Sequence, residues 1–505
     1  MSLRVYNTLT KQKDLFEPVR PGKVGIYLCG PTVYKSPHIG HMVGPVIFDA
    51  VKRYLKYKGF EVTWVVNITD VDDKLIEAAN RLNTSVEALA EKHTKVYFDA
   101  LAALGVDGID YFPKATDHIP EIIKLCQDLV SNGHAYAVAG NVWFDVAKDP
   151  DYGKLSHQKA EDQEAGARDA DSAGKRNPAD FALWKAEKPG EPAWDSPWGK
   201  GRPGWHIECS AMSMKILGPT FDIHGGGMDL KFPHHENELA QSECATGQTF
   251  VKYWLHNGLT KIRTKQGRGD GPEQSVDIHE TTGNAAQVRA LDLIAIHGPE
   301  VIRYLLLSSH YRSPIEFSDS AMTVAKKASA VFARLFERID RILAEPLSDG
   351  TKDMDRIASS LLESDHASYA KNVLGLKLKF LEMMDDDFNT AGAIGALHEM
   401  AGEINAFIER NDLDRSKHDD LAEAAAAGVQ TLRQLGQVLG LFMHRPAAPA
   451  ANDALPGQLM DLIIRLRQEA RAKKNFELAD SIRKGLTEIG ITIEDGPDGT
   501  RWRKE

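Results

Sequence analysis

Val24-Gly-Ile-Tyr-Leu28 runs directly into Cys29-Gly-Pro-Thr-Val-Tyr-Lys-Ser-Pro-His-Ile-Gly-His41, and this stretch decides the fold. The apolar run, bounded by turn formers, reads as a buried strand. Apolar spacing then predicts a helix over 43–58. A strand, a Gly/Pro-rich loop and a helix start together build an anion site. The reason is that unpaired backbone N–H groups and the helix dipole point the same way. His38 and His41 share one side of that turn and can donate to phosphate oxygens, with Gly30, Thr32 and Gly40 in the same loop. Cys29 ends the strand, where parallel-sheet proteins place their chemistry. A tight βα connection with a buried cysteine and two surface histidines fits the same spacing.

Outward from that stretch, residues 1–110 alternate short strands with helices. Glu61-Val-Thr-Trp-Val-Val-Asn67 is a second β-rich run, followed by Ile68-Thr-Asp-Val-Asp-Asp-Lys74 and a long helical pattern. That alternation predicts an α/β chain with a Rossmann-like, doubly wound parallel sheet. Asp70, Asp72 and Asp73 suit a metal or ribose site, and equally a solvated helix start. From 115 to 200 the pattern weakens, which reads as an insertion between two halves of the sheet. Residues 161–176 are polar and Gly/Ala-rich and read as a mobile loop; Trp194 and Trp198 are available to pin the irregular segment after it.

Chemistry returns at Gly204-Trp-His-Ile-Glu-Cys-Ser-Ala-Met-Ser213, Phe221-Asp-Ile-His-Gly-Gly-Gly-Met-Asp-Leu230 and Phe232-Pro-His-His-Glu-Asn-Glu238. Gly225, Gly226 and Gly227 at a strand end permit close approach to a flat ligand, and Asp229 can accept from ribose hydroxyls. His234 and Glu238, at i and i+4, project from one helical face, which leaves His235 off it. Beyond 318 the chain reads as helices over 318–343, 359–384, 390–411 and 431–442, with Ser318 and Asn389 as caps and Val331, Leu335 and Ile339 as core. Residues 444–457, rich in Pro and Ala, read as a linker. The remainder, 458–505, is near-neutral and ends in Arg501-Trp-Arg-Lys504, which suits a single-stranded nucleic-acid loop as well as plain surface solubility.

Whole-chain properties set the limits. At 505 residues there is room for three or four domains. A net charge of −11 argues against non-specific coating of nucleic acid, and DNA is not an expected partner. The polar start and the lack of a long apolar run predict no secretory signal and no membrane span. Four scattered cysteines, Cys29, Cys126, Cys209 and Cys244, point to a reducing cytoplasm and to metal or catalytic use rather than disulfides. Cys29, Cys209, His234 and Glu238 would make a Zn²⁺ set that only folding could assemble. Buried cysteines and a surface His–Glu pair are the plainer reading of the same residues.

With these residues in view, the chain resembles the cysteinyl-tRNA synthetase family of class I aminoacyl-tRNA synthetases over nearly its whole length. Carrying the resemblance are Cys29 to Tyr34, His38-Ile-Gly-His41, Gly204 to Met212, Asp222 to Gly227 and Phe232 to Glu238. Met384-Asp-Asp-Asp-Phe-Asn-Thr390 and Glu494-Asp-Gly-Pro497 complete it. The resemblance implies a catalytic domain from 1–115 and 200–260 with a connective insertion at 116–199. It also implies a second ATP motif and stem-contact region at 261–317, a tRNA-binding helical bundle at 318–443, a linker at 444–457 and a small anticodon-contacting domain at 458–505. One zinc ion per chain on Cys29, Cys209, His234 and Glu238 would take the substrate thiolate and so reject serine, where an apolar pocket discriminates only roughly 10²-fold. Trp205 and Thr69 would border the cysteine pocket. ATP with Mg²⁺ would lie on the His38–His41 loop and on Gly225 to Gly227 with Asp229. His38 and His41 would stabilise charge as the cysteine carboxylate attacks the α-phosphate; transfer to the 3′ end of tRNA(Cys) follows. A cytoplasmic monomer is the expectation. A ligase transferring cysteine to a small amine, and an inert zinc- and RNA-binding relative, are the competing readings. The complete helical region argues against the first, and the intact His38, His41 and metal set against the second.

One departure stands out. The family's second ATP motif usually carries two lysines, but Asp277-Ile-His-Glu-Thr-Thr-Gly-Asn284 has none. The longer basic loop before it offers Lys261, Arg263, Lys265 and Arg268 as replacements. Removing such a charge clamp costs several kcal/mol of transition-state stabilisation, on the order of that for one oxyanion donor or more. Replacing all four cations with alanine is therefore expected to cripple cysteine-dependent ATP–pyrophosphate exchange, and unchanged exchange would sink the idea.

Overall fold

The computed structural model describes residues 2–158, 174–265, 273–277, 289–416, 418–443, 454–488, 490–496 and 499–504; 262–265, 273–277, 454–458, 492, 494–496 and 499–504 are described by backbone alone. It divides into two units, 1–443 and 444–505. The first is built on a four-stranded parallel sheet in the order Val251–Asn257, Phe221–Gly227, Lys23–Leu28, Glu61–Val66. The chain leaves Lys23–Leu28 for Glu61–Val66 on one side and returns much later to Phe221–Gly227 on the other. Between those two central strands the direction of winding reverses, which opens a crevice at their carboxyl ends. Both faces of the sheet are covered, and Lys23–Leu28 and Glu61–Val66 read as largely apolar runs, whereas Phe221–Gly227 carries Asp222, His224 and three glycines. Ile26, Leu28, Trp64, Val66 and Ile223 are each at most 1% exposed.

The predicted helix after the His38–His41 loop is Gly40–Tyr57, three residues earlier than its apolar spacing indicates. Helix Asp73–Leu82 starts on Asp72, whose carboxylate accepts from the Lys74 N–H at 2.9 Å, so Asp72 and Asp73 serve as a helix start. The insertion holds more regular structure than its sequence suggests. Helix Ile119–Ser131 packs on an antiparallel sheet, Ala135–Val138, Asn141–Phe144, Phe181–Ala186 and Gly201–Pro203, around Ile122, Leu125, Phe144, Leu183 and Trp184. Trp194 and Trp198 pack against that core. The mobile loop expected at 161–176 lies almost wholly outside the described residues.

The helical region forms Asp319–Leu343, Met354–Leu362, Ala367–Asp385, Thr390–Arg410 and Asp419–Val438. Ser318 and Asn389 cap as expected, accepting from the Ala321 and Gly392 N–H groups. Leu335 and Ile339 are core. Two expectations fail. The pattern over 359–384 is broken near 363–366, where Glu363 ends one helix and His366 precedes the next. The last helix begins at Asp419 rather than 431, because Ala424 to Ala427 are buried without bulky side chains to announce them. In the second unit, Ala454–Ala472 and Phe476–Glu488 pack on the hairpin Ile491–Gly496 with Gly499–Lys504, around Met460, Leu486 and Ile493. Its first helix starts inside the stretch expected as linker; 444–453 lie outside the described residues.

Bundle and sheet are joined by the Met384-to-Thr390 segment, whose three aspartates engage three separate elements. Asp385 accepts from the Tyr54 hydroxyl at 2.6 Å and Asp386 pairs with Lys13 at 2.5 Å. Asp387 is wholly buried and accepts from Tyr6 N–H (2.7 Å), Tyr311 hydroxyl (2.8 Å) and Arg312 Nε (2.8 Å). Its φ of 64° is one that aspartate and asparagine tolerate better than most residues. Asp387→Asn keeps that tolerance and the shape but removes the charge Arg312 needs. Expected is a loss of about 1.5–3 kcal/mol, the range for hydrogen bonds to charged groups, read as a lower urea midpoint; a midpoint equal to wild type contradicts the clamp.

Candidate metal and nucleotide site

Cys29 follows the last residue of its strand, and its N–H donates to Gly225 O at 3.1 Å, joining the two central strands at the crevice. Cys209 comes from helix Trp205–Leu217, His234 from the irregular turn Lys231–His235, and Glu238 from helix Glu236–Thr246. Folding brings their donor atoms together. Cys29 Sγ lies 3.8 Å from Cys209 Sγ and 3.5 Å from Glu238 Oε1; His234 Nε2 is 3.6 Å from Cys209 Sγ and 2.9 Å from Glu238 Oε1. A tetrahedral ion with metal–sulfur bonds of ~2.3 Å and metal–nitrogen or oxygen bonds of ~2.0 Å would set S···S near ~3.8 Å and S···N or S···O near ~3.5 Å. The three distances that involve sulfur match; only the directly hydrogen-bonded His–Glu pair is closer. Cys209, His234 and Glu238 are buried, and Cys29 alone is half-exposed, marking the open side.

The electrostatics fit a cation as well. A hydrogen bond from the Cys29 thiol outweighs burial and holds Cys209 down to about 6. Burial, then the hydrogen bond to Cys209 and its charge, pushes Cys29 well up. Burial opposes charge on His234, yet Glu238 and Cys209 carry it up to about 10. Burial also penalises the Glu238 carboxylate, but His224 and His234 hold it well below the usual range.

Several residues here escaped the sequence reading. His224 Nε2 bonds the second Glu238 oxygen at 2.8 Å, both groups being fully buried. His235, placed off the helical face by i, i+4 spacing, has its Nε2 3.3 Å from Cys29 Sγ, because 231–235 form an irregular turn and not a regular helix. Cys29, His224, His235 and Glu238 thus form a second, overlapping group with metal-ligand spacing. His235 Nδ1 continues to His256 Nε2 (2.8 Å), and His256 Nδ1 to the Thr8 hydroxyl (2.8 Å). Burial holds His235 well below its ordinary value and brings His256 to about 3, so both rings are neutral. His206 Nδ1 meets His234 Nδ1 at 2.9 Å, and Trp205 stacks on His234 at 4.2 Å. Glu208, in the same helix turn, is fully buried, with neither oxygen hydrogen-bonded among the described residues. Burial raises its carboxyl far above the usual range, and the charges of Cys209, Asp72 and Asp70 add to this.

On the nucleotide side, the His38 and His41 rings stack at 3.7 Å, and His41 Nδ1 accepts from the His38 N–H at 3.1 Å. Both stand at the start of helix Gly40–Tyr57, whose dipole favours an anion there, while the His41 and Met42 N–H groups close a tight first turn on His38 O and Ile39 O. Gly30 and Thr32 lie in the same loop; Thr32 bridges to Thr69, and Gly30 N–H donates to Asn67 at 2.8 Å. Asp229 is exposed beyond the strand end. Gly225 and Gly226 have a reason apart from a ligand: a Cβ there would fall 2.0 Å from the Phe48 ring and 2.6 Å from His235. Lys261 is exposed, and Lys261, Arg263 and Lys265 lie on strand Thr260–Lys265, paired with Glu273–Asp277, rather than in a loop. Arg268 and Thr282 to Asn284 fall outside the described residues. Just after them, Arg289 bridges to His38 and Ala290 N–H donates to Pro37 O at 3.0 Å.

Comparison with known proteins agrees with this geometry. Residues 15–327 match the model of the class I (C) tRNA synthetase catalytic domain, 379–443 the DALR domain, and 454–503 the cysteinyl-tRNA ligase anticodon binding domain. A cysteine–tRNA ligase of Thermodesulfovibrio yellowstonii is 45% identical across 99% of both chains, and one of Pelotomaculum thermopropionicum 44% across 100% of both. The chain belongs to the cysteine–tRNA ligase family. Methionyl-tRNA synthetase of Mycobacterium tuberculosis, bound by methionyl-adenylate, shares the fold, with a TM-score of 0.60 at 14% identity over 83% of this chain and 92% of that one.

In this chain the donor cluster is backed by further hydrogen-bonding residues. Removing a hydrogen-bonding partner of a ligand costs about 10- to 100-fold in metal affinity. His224→Leu is expected to weaken a bound thiophilic divalent ion by that amount in a chelator competition, and Cys209→Ala by more. Unaltered affinity in His224→Leu would show that Glu238 is held without it.

Proposed function

We propose that the chain activates L-cysteine with ATP and transfers it to tRNA(Cys), with Cys29, Cys209, His234 and Glu238 holding one zinc ion. The observation that carries this is the soft-donor cluster, spaced for a tetrahedral ion, on the strand end that also starts the His38–His41 loop. Zinc held there supplies a soft positive centre that favours a sulfur anion over a serine hydroxyl. His224 fixes the Glu238 carboxylate and His206 the His234 ring, so the donor set is oriented before substrate arrives.

The rest of the chemistry is positioning and charge. The cysteine carboxylate attacks the α-phosphorus of Mg²⁺-bound ATP and pyrophosphate leaves; no protein nucleophile is needed. His38, His41 and the helix start beneath them face the triphosphate and stabilise its developing charge. Thr32, Gly30 and Gly40 shape that loop, while Gly225 to Gly227 and Asp229 flank the adenosine. Trp205 and Thr69 border the amino acid. Arg289, against His38, brings the chain from the second ATP motif to this loop, and Lys261, Arg263, Lys265 and Arg268 supply its cations. The terminal ribose hydroxyl of tRNA then attacks the adenylate carbonyl and AMP leaves. The bundle and the second unit grip the tRNA, the latter at the anticodon. The same reading has the chain act as a cytoplasmic monomer; among the described residues no helix is long and apolar enough to cross a membrane.

Cysteine-dependent, serine-independent ATP–pyrophosphate exchange followed by charging of tRNA(Cys) tests the whole reading; exchange without charging would instead indicate transfer to a small amine. Truncation after Met443 tests the division of labour. It is expected to leave exchange near wild type and to lower kcat/KM for tRNA by about 100-fold, near 2.7 kcal/mol. Equal loss of both activities contradicts the assignment of the second unit.

A further inference from the structure

Around Thr69 the protein gathers more negative charge than it balances. Asp70 is satisfied, accepting from Thr116 N–H (3.1 Å) and its hydroxyl (2.6 Å). Asp72 caps its helix. Asp73 pairs with Lys185 at 2.7 Å and with Arg202, which also binds Glu191 at 2.7 Å. The nearby cations Lys185 and Arg202 are therefore committed to other acids. Glu208 is the exception: it is 0% exposed, it makes no ion pair and no close hydrogen bond among the described residues, and the Thr69 hydroxyl beside it favours its charge. A buried carboxyl can carry its charge only with a cation against it, and since Glu208 makes no ion pair among the described residues, a cation from outside the chain would complete the pair.

We propose that Glu208 receives the α-ammonium group of the amino-acid substrate, with the Thr69 hydroxyl beside it. The proposal rests on the reading of the donor cluster as the sulfur site. Glu208 is next in sequence to Cys209, one of the sulfur-site donors, and follows Trp205 by one helical turn. In cysteine only three covalent bonds separate sulfur from nitrogen. The Cys209 charge acts directly on the Glu208 carboxyl, so the two groups are neighbours in space as well as in sequence, and a molecule whose sulfur sits at Cys29 and Cys209 carries its ammonium toward Glu208. A hard metal ion is a poorer match, since it takes six or more oxygens and the neighbouring carboxylates are already engaged. The assignment divides recognition along one helix turn: Cys209 serves the side chain and Glu208 the backbone amine.

Three thiols separate this role from a structural one. L-cysteine has both ammonium and carboxylate; cysteamine keeps only the ammonium, and 3-mercaptopropionate only the carboxylate. With the full-length, zinc-loaded protein, Glu208→Gln is expected to weaken cysteine and cysteamine by about 10- to 100-fold, the range for a hydrogen bond to a charged group. Binding of 3-mercaptopropionate should stay as in wild type or tighten. In pyrophosphate exchange the KM for cysteine rises while that for ATP does not. Wild-type binding of all three thiols by Glu208→Gln overturns the proposal. Equal weakening of all three also overturns it, by assigning Glu208 to the packing of its helix. If wild-type protein binds none of them, the sulfur-site reading fails instead.

Discussion

Glu238 is a carboxylate with no exposure at all, and its two oxygens are divided between two imidazoles, His234 on one side and His224 on the other. A buried charge of this kind is tolerated only when fully paired. Each partner belongs to a different piece of chain: His224 to a central strand, His234 to the irregular turn and Glu238 to the helix after it. Satisfying one carboxylate therefore docks the turn and helix onto the sheet in a single register. Cys209, reached by the same His234, and Cys29, at the end of the neighbouring strand, then fall into place. The pairing of one buried carboxylate is also what assembles the site.

The second organising feature is the position of the crevice. Winding reverses between Lys23–Leu28 and Phe221–Gly227, so the ends of both strands open into the same space. From one of them come Cys29 and, within a dozen residues, the stacked His38 and His41 at a helix start. On the proposed reading, selection of the side chain and activation of the carboxylate are thereby built on one connection. Motion of that loop would alter both together, and the Arg289–His38 bridge ties the start of helix Ala290–His297 to the same point.

What was legible from sequence follows from which forces are local. The strand–loop–helix unit around Cys29 and the helix caps at Ser318 and Asn389 depend on neighbours in sequence and stand where their patterns placed them; His234 and Glu238 meet as expected, but from an irregular turn and a helix and not from one helical face. The antiparallel sheet of the insertion was hidden because its strands are short and interrupted by Gly, Pro and Trp. The helix from Asp419 was missed because an alanine run buries well without showing amphipathic bulk. His224, His235 and Glu208 carry no local signal: their importance comes from partners 14, 206 and 139 residues away, as the pairs His224–Glu238, His235–Cys29 and Glu208–Thr69 show. The periodic argument that set His235 aside failed for a specific reason, since the turn it occupies does not follow helical spacing.

Gly225 and Gly226 have a consequence for how such a protein can change over generations. Their missing side chains are filled by Phe48 and His235, so any larger residue collides with the protein itself before it meets a ligand. That strand is a closed letter in the alphabet of possible variants. Heritable variation in selectivity has to enter from side chains that arrive on other elements, and the sheet wall stays constant while its surroundings are rewritten.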